Sequence, residues 1–163
     1  MADANILVSK SYASKVILLT HLPLDGLRVL DCTQFMAGPF CTLLLADMGA
    51  DVIKVERPQG GDDVRRAAPD INGVSAPFLI INRNKRSLAI DLKTPQGNAA
   101  FLRVASTADV IVENFRPGTL SRLGLGYEQL SEINGSIIFC SISGFGQSGP
   151  YQHRGGFDLV AQG

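Results

Sequence analysis

The chain reads as an open α/β fold, a mainly parallel sheet with helices on both faces. Three observations point there. Short runs of Val, Ile and Leu recur along the 163 residues, apolar enough for strands covered on both sides. Segments with helical spacing of apolar residues separate several of these runs. Proline stands at helix entrances and glycine at exits, the asymmetry that helix ends favour.

The elements follow in order from Pro23. Leu27–Asp31 is a short apolar run, and Gly38-Pro39 then opens a helix over Phe40–Met48, where Phe40, Leu43, Leu44 and Met48 share one face. Gly49 ends that helix as a C-cap glycine, and Asp51–Glu56 follows as a second strand, so the unit calls for a parallel pair joined by a right-handed crossover. Ser87–Asp91 is the third strand. Thr94 is placed to cap a helix that begins at Pro95 and runs to about Thr107. Asp109–Glu113 is the fourth strand, and Pro117 opens a short helix toward Leu123. Beyond Tyr127–Ile133 comes Ser136–Ile142, apolar enough for a strand covered on both faces. Between the two halves, residues 58–84 are too polar and irregular for an ordinary short connection, and long connections of that kind often carry function.

Composition bounds what such a fold can do. Apolar residues make up 45% and charged residues 18%, enough for one ordinary core and one domain. Fifteen basic residues balance fifteen acidic ones, which excludes a protein whose affinity comes from neutralising nucleic-acid phosphates. Any anion site is therefore local. The three cysteines, Cys32, Cys41 and Cys140, lack metal-type spacing and sit in apolar stretches, as buried free thiols in a reducing compartment do. Residues 1–22 read as a loosely ordered extension ahead of a domain over 23–163. Their short apolar piece, Val16–Thr20, is far below a membrane span, and Asp3 with no arginine before Arg28 fits neither a secretory nor a mitochondrial leader.

In open parallel sheets, ligands bind beyond the carboxyl ends of the strands. The segments there are Thr33–Pro39, Arg57-Pro58, Leu92-Lys93, Asn114–Gly118 and Ser143–Gly146. Together they bring arginines, a lysine, an amide, aromatic rings and permissive glycines to one edge. Guanidinium forks grip phosphate and rings stack on bases, so this set favours an anionic ligand with a flat ring, such as a nucleotide. Taken singly, each member has an ordinary reading: Arg57 as a solvated charge, Gly144 and Gly146 as turn glycines. No dinucleotide fingerprint or Walker-type phosphate loop is present. His21 and His153 stand alone, as surface or structural histidines do.

The ordered set of segments resembles the N-terminal portion of the class III coenzyme A transferases of the CaiB/BaiF type. The resemblance is carried by Pro23–Asp31, Ala37-Gly38-Pro39, Leu45–Pro58, Asn82–Ser87, Val112–Gly118, Leu123–Tyr127 and Gly144–Pro150, and it covers Pro23 to Gly163. It implies a Rossmann-like domain with coenzyme A or acyl-CoA as substrate, a small carboxylic acid as the other partner, and no metal. The implied coenzyme A contacts are Met36, Ala37, Arg57, the segment Ile90, Asp91, Leu92 and Lys93, then Asn114, Phe115, Arg116, Arg122, Arg154 and Phe157. It further implies a full-length enzyme working as an interlocked homodimer, with no nucleic acid or membrane partner, in the cytoplasm or alternatively the mitochondrial matrix.

The transferases form aspartyl anhydrides and thioesters, a covalent route that splits acyl transfer into easier steps. Their nucleophilic aspartate lies downstream of the motif matching Gly155–Asp158, so the resemblance leaves the role unassigned within residues 1–163 and gives Asp158 at most a supporting part. On that reading this chain is an inactive coenzyme A-binding portion of a transferase. Related α-methylacyl-CoA racemases place an acid/base histidine just before the position of Asp158; Phe157 stands there and transfers no proton. A truncated product without catalysis that still binds coenzyme A is the remaining alternative.

Overall fold

The computed structural model describes residues 21–163. The expected loose start at 1–22 therefore falls almost wholly outside the described residues. The chain runs β1 (Arg28–Cys32), α1 (Ala37–Asp47), β2 (Asp51–Glu56), a 3₁₀ turn (Asp63–Arg66), β3 (Asp70–Ile71), β4 (Val74–Ser75) and α2 (Ala76–Asn82). It continues with β5 (Lys85–Ala89), α3 (Pro95–Ala105), β6 (Val110–Glu113), α4 (Thr119–Arg122), α5 (Tyr127–Ile133), β7 (Ile138–Ser141) and α6 (Asp158–Gln162). Five strands form one sheet in the order β5-β2-β1-β6-β7, and every pairing within it is parallel. All five carboxyl ends therefore share one edge.

Side chains alternate across the sheet with the period of two that strands impose. One face presents Leu30, Cys32, Ile53, Val55 and Ile111 to Phe101 and Ala105 of α3, Leu120 of α4 and Leu130 of α5. The other presents Val29, Val52 and Val112 to Ala46 of α1. Helices thus cover both faces. Phe101 is fully buried at the centre of the larger cluster, where truncation to alanine costs about 3–5 kcal/mol.

Helix ends follow their local chemistry. The Gly97 N–H donates to Thr94 Oγ1 at 3.0 Å, and Pro95 occupies the first turn, so α3 starts where its cap dictates. Gly49, at φ +103°, takes the left-handed conformation just beyond α1.

Three expectations need correction. The third strand runs over Lys85–Ala89, two residues earlier than Ser87–Asp91, because Lys85 turns its ammonium inward and pairs with the β2 register at Val52. The connection 58–84 is far from irregular. It holds the 3₁₀ turn, the antiparallel β3–β4 hairpin and α2, whose cap is Ser75. Strands of two residues are too short to leave a periodic signal. Finally, the last strand is only partly covered: β7 ends the strand order, Phe139 and Cys140 pack on the two opposite clusters, and Ile138 is 62% exposed.

Candidate functional site

Beneath the carboxyl edge, at β1, β2 and β5, lies a set of buried charges. Asp31 and Lys54 face each other in register, both essentially without solvent contact. Lys85 Nζ donates to Asp31 Oδ2 at 2.9 Å and to Pro39 O at 2.8 Å. Lys54 Nζ donates to Thr33 O at 2.9 Å and lies 2.9 Å from Asp62 Oδ2. Burial pushes the Asp31 carboxyl up, but Lys54, Lys85 and the Thr33 and Thr42 hydroxyls outweigh it and hold the group below its ordinary value. Two anions and two cations thereby neutralise each other inside the sheet.

A third buried carboxylate sits at the end of β2. Glu56 accepts a two-pronged grip from Arg65, at 2.7 and 2.6 Å, together with the Asp62 N–H and the Ser87 hydroxyl. Burial alone would raise its pKa; the Arg65 fork and the other donors bring it down to about 2. Arg65 also stacks 3.8 Å from the centre of the Phe78 ring, which ties α2 to the edge.

These charges set the height of the loops above them. Arg57 leaves β2 exposed and pairs with Asp63, which Arg66 also contacts. Met36 stands 55% exposed at the start of α1, and Ala37 is exposed beside it. Beyond β5, Ile90 is buried, with its N–H bonded to Glu56 O, and Leu92 packs on the α3 cluster. Asp91 and Lys93 of the same segment face solvent. After β6, Asn114 is half-buried and Phe115 leans on the same cluster, whereas Arg116 is exposed. Arg122 is exposed at the end of α4, 3.2 Å from Thr119 Oγ1. None of the described ion pairs involves Lys93, Arg116 or Arg122.

Arg154 and Phe157 reach this region through a glycine contact. A β-carbon on Gly144 would lie 2.3 Å from the Gly156 Cα, so the loop after β7 and the Arg154–Phe157 segment touch backbone to backbone. Arg154 lies over the Tyr151 ring at 4.1 Å, and Phe157 is 78% exposed. Asp158 is exposed in the first turn of α6. The segments that directly follow β1, β2, β5, β6 and β7 thus lie at one edge, although Ile90 contributes to the core.

A cleft of about 230 Å³ opens beside this set, between β6, β7, α4 and α5. Its lining includes Glu113, Tyr127, Phe139, Ser141 and Gln147. Burial raises the Glu113 carboxyl above its ordinary value, only partly offset by the Ser141 hydroxyl and the Phe115 N–H. Sequence reasoning passed over Glu113, Asp31 and Lys54, for which an isolated charged residue inside an apolar run was the available signal.

The histidines and cysteines add nothing to this set. His21 and His153 are exposed. Of the three free cysteines only Cys32 is buried; Cys41 and Cys140 are half-buried, which corrects the expectation that all three lie inside. Burial pushes the Cys32 thiol well above its ordinary value and makes it inert.

Residues 24–163 match the model of the family described as CoA-transferase family III. The chain is 51% identical over 140 residues to succinyl-CoA:glutarate CoA-transferase of Mus musculus, covering 85% of this chain and 32% of that protein. It is 46% identical over 140 residues to acetyl-CoA:oxalate CoA-transferase of Acetobacter aceti, covering 86% and 36%. Among solved structures, a CAIB/BAIF family protein from Brucella suis superposes with a TM-score of 0.82 at 46% identity, over 87% of this chain and 39% of that one. The chain spans about a third of the length of the curated relatives it matches.

Proposed function

The chain belongs to CoA-transferase family III, and from that membership we propose that it forms the coenzyme A-binding part of an enzyme moving coenzyme A between an acyl-CoA and a small carboxylic acid. The transfer runs through an aspartyl anhydride and thioester, and the enzyme works as a homodimer. One observation carries the reading: the segments that follow all five parallel strands share one edge, and Lys93, Arg116 and Arg122 lie outside every described ion pair. Phosphates of a nucleotide tail suit guanidinium and ammonium donors of this kind.

The acceptor is a dicarboxylic acid. Relatives at 46–51% identity are named for glutarate and for oxalate, each taking coenzyme A from an acyl-CoA. Asp31, Asp62 and Glu56 are committed to ion pairs, and Glu113, the buried carboxylate at this edge with no cation among the described residues, is a glutamate where the family's route uses an aspartate. The 163 residues are accordingly read as a binder of coenzyme A, with no nucleophile assigned among them.

Isothermal titration with coenzyme A tests this directly. Saturable binding that weakens about tenfold or more in the Arg116→Ala, Arg122→Ala double variant is expected, on the scale of lost charge-assisted bonds to phosphate. Absence of binding, or binding indifferent to both arginines, would sink the reading. An acyl-transfer assay on the same preparation should give no product.

A further inference from the structure

The turn that follows β1 is held in a conformation its own residue disfavours. Phe35 has φ +64°, the left-handed region in which a β-carbon crowds the neighbouring carbonyl. Such a residue persists only where its surroundings over-determine it. The restraints come from two other strand ends. The Phe35 N–H donates to Asp62 Oδ1 at 3.2 Å, from the loop after β2. Gln34 is gripped at both backbone groups by a single side chain: its N–H donates to Asn114 Oδ1 at 2.8 Å, and its carbonyl accepts from Asn114 Nδ2 at 2.8 Å.

That reciprocal pair occupies both polar ends of the Asn114 amide. Were the amide to turn toward a ligand, the Gln34 N–H and C=O would both lose their partner. The consequence of the grip is visible next door, where Phe35 and Met36 each stand 55% exposed at the carboxyl edge.

We propose that Asn114 is a positioning residue, a clamp from the β6 loop that holds Gln34 and the left-handed Phe35 so that the Phe35–Met36 turn is presented to the ligand already ordered. The effect on affinity rests on the coenzyme A reading given above; the clamp itself does not. Ordering the turn in advance removes a cost that binding would otherwise bear.

A double-mutant cycle separates a clamp from a direct contact. Glycine adopts positive φ about as readily as negative φ, so Phe35→Gly relieves the conformational penalty that Asn114 opposes. In the wild-type background, Asn114→Ala is expected to weaken coenzyme A binding about tenfold, the scale of one left-handed residue released. In the Phe35→Gly background the same substitution is expected to cost no more than about threefold. Equal losses in the two backgrounds would mean that Asn114 touches the ligand or serves the fold alone, and would overturn the proposal. Should Asn114→Ala fail to fold, Asn114→Ser takes away the two-point grip on Gln34 without adding charge and leaves a hydroxyl that water can reach; its loss must shrink in the same way beside Phe35→Gly.

Hydrogen exchange at the Gln34 amide reads the clamp without any ligand. Slow exchange in the wild type that accelerates in Asn114→Ala supports it, and fast exchange in both refutes it. If the wild type binds no coenzyme A, the affinity effect falls with the functional reading, and the exchange result still decides the clamp.

Discussion

The two halves of the sheet handle charge in opposite ways. At β5, β2 and β1, each buried carboxylate has a cation: Asp31 has Lys85 and Lys54, Asp62 has Lys54, and Glu56 has Arg65. At β6 and β7, Glu113 is buried with no cation paired to it among the described residues, and an open cleft lies beside it. The difference shows where this domain spends its polar groups on rigidity. Paired charges lock the β1, β2 and β5 loops together, whereas the β6–β7 side keeps a strained carboxyl, a cleft and an exposed final strand.

The sharpest way to break this contrast is to remove the shared cation. Lys54→Met leaves Asp62 without its cation and Asp31 with Lys85 alone, and stripping one partner from a buried ionic set costs about 3–5 kcal/mol. Chemical denaturation should show at least that loss or no folded protein, and a loss below about 1 kcal/mol would mean the charges are not coupled as described.

Acid titration distinguishes the halves by sign. Glu56 has its carboxyl depressed to about 2 in the folded chain, so its stabilisation is fully present above the ordinary glutamate value and disappears as pH falls from about 4.5 toward 2. The side chain is only 3% exposed, and the shift corresponds to roughly 3 kcal/mol. Denaturation midpoints followed across that window should fall steeply in the wild type and much less in Glu56→Gln.

Glu113 runs the other way. Its folded value is raised, so the folded state binds the proton more tightly, and its contribution is best at low pH and declines as pH rises through the ordinary glutamate value and beyond. Glu113→Gln keeps an acceptor for the Phe115 N–H, 2.8 Å away, and removes the uncompensated charge. The variant should be more stable than wild type at pH 7 by about 1 kcal/mol, and equal or less stable near pH 4. A destabilised variant at pH 7 would show that the carboxylate has a partner after all. The smallest effect is expected at the outer strand: Ile138→Thr should change stability by no more than about 0.5 kcal/mol, because the side chain is already in water.

How much of this was legible beforehand follows from range. The strand at Asp51–Glu56 and the start of α3 at Pro95 were readable to the residue, since a hydrophobic run and a cap are local signals. The 58–84 connection was not, because its hairpin strands have two residues each and its 3₁₀ turn has four. Its hold on the edge comes from Asp62, whose carboxylate reaches back to Lys54 in β2 and to the Phe35 N–H 27 positions earlier. Asn114 was recognisable as an edge residue, yet its role as a clamp depends on Gln34, eighty positions earlier.

By itself the amino-acid order determined the parallel α/β class, the family, and the fact that strand-end segments with arginine, lysine and aromatic residues follow successive strands. These are properties of periodicity, propensity and motif, each written within a few neighbouring residues. Only the tertiary structure decided which charges neutralise one another beneath the edge, that Glu113 has no cation paired to it among the described residues, and that Phe35 is forced left-handed. Those outcomes depend on which strands lie side by side, and the electrostatic and packing terms that set them act through space between residues the chain keeps far apart.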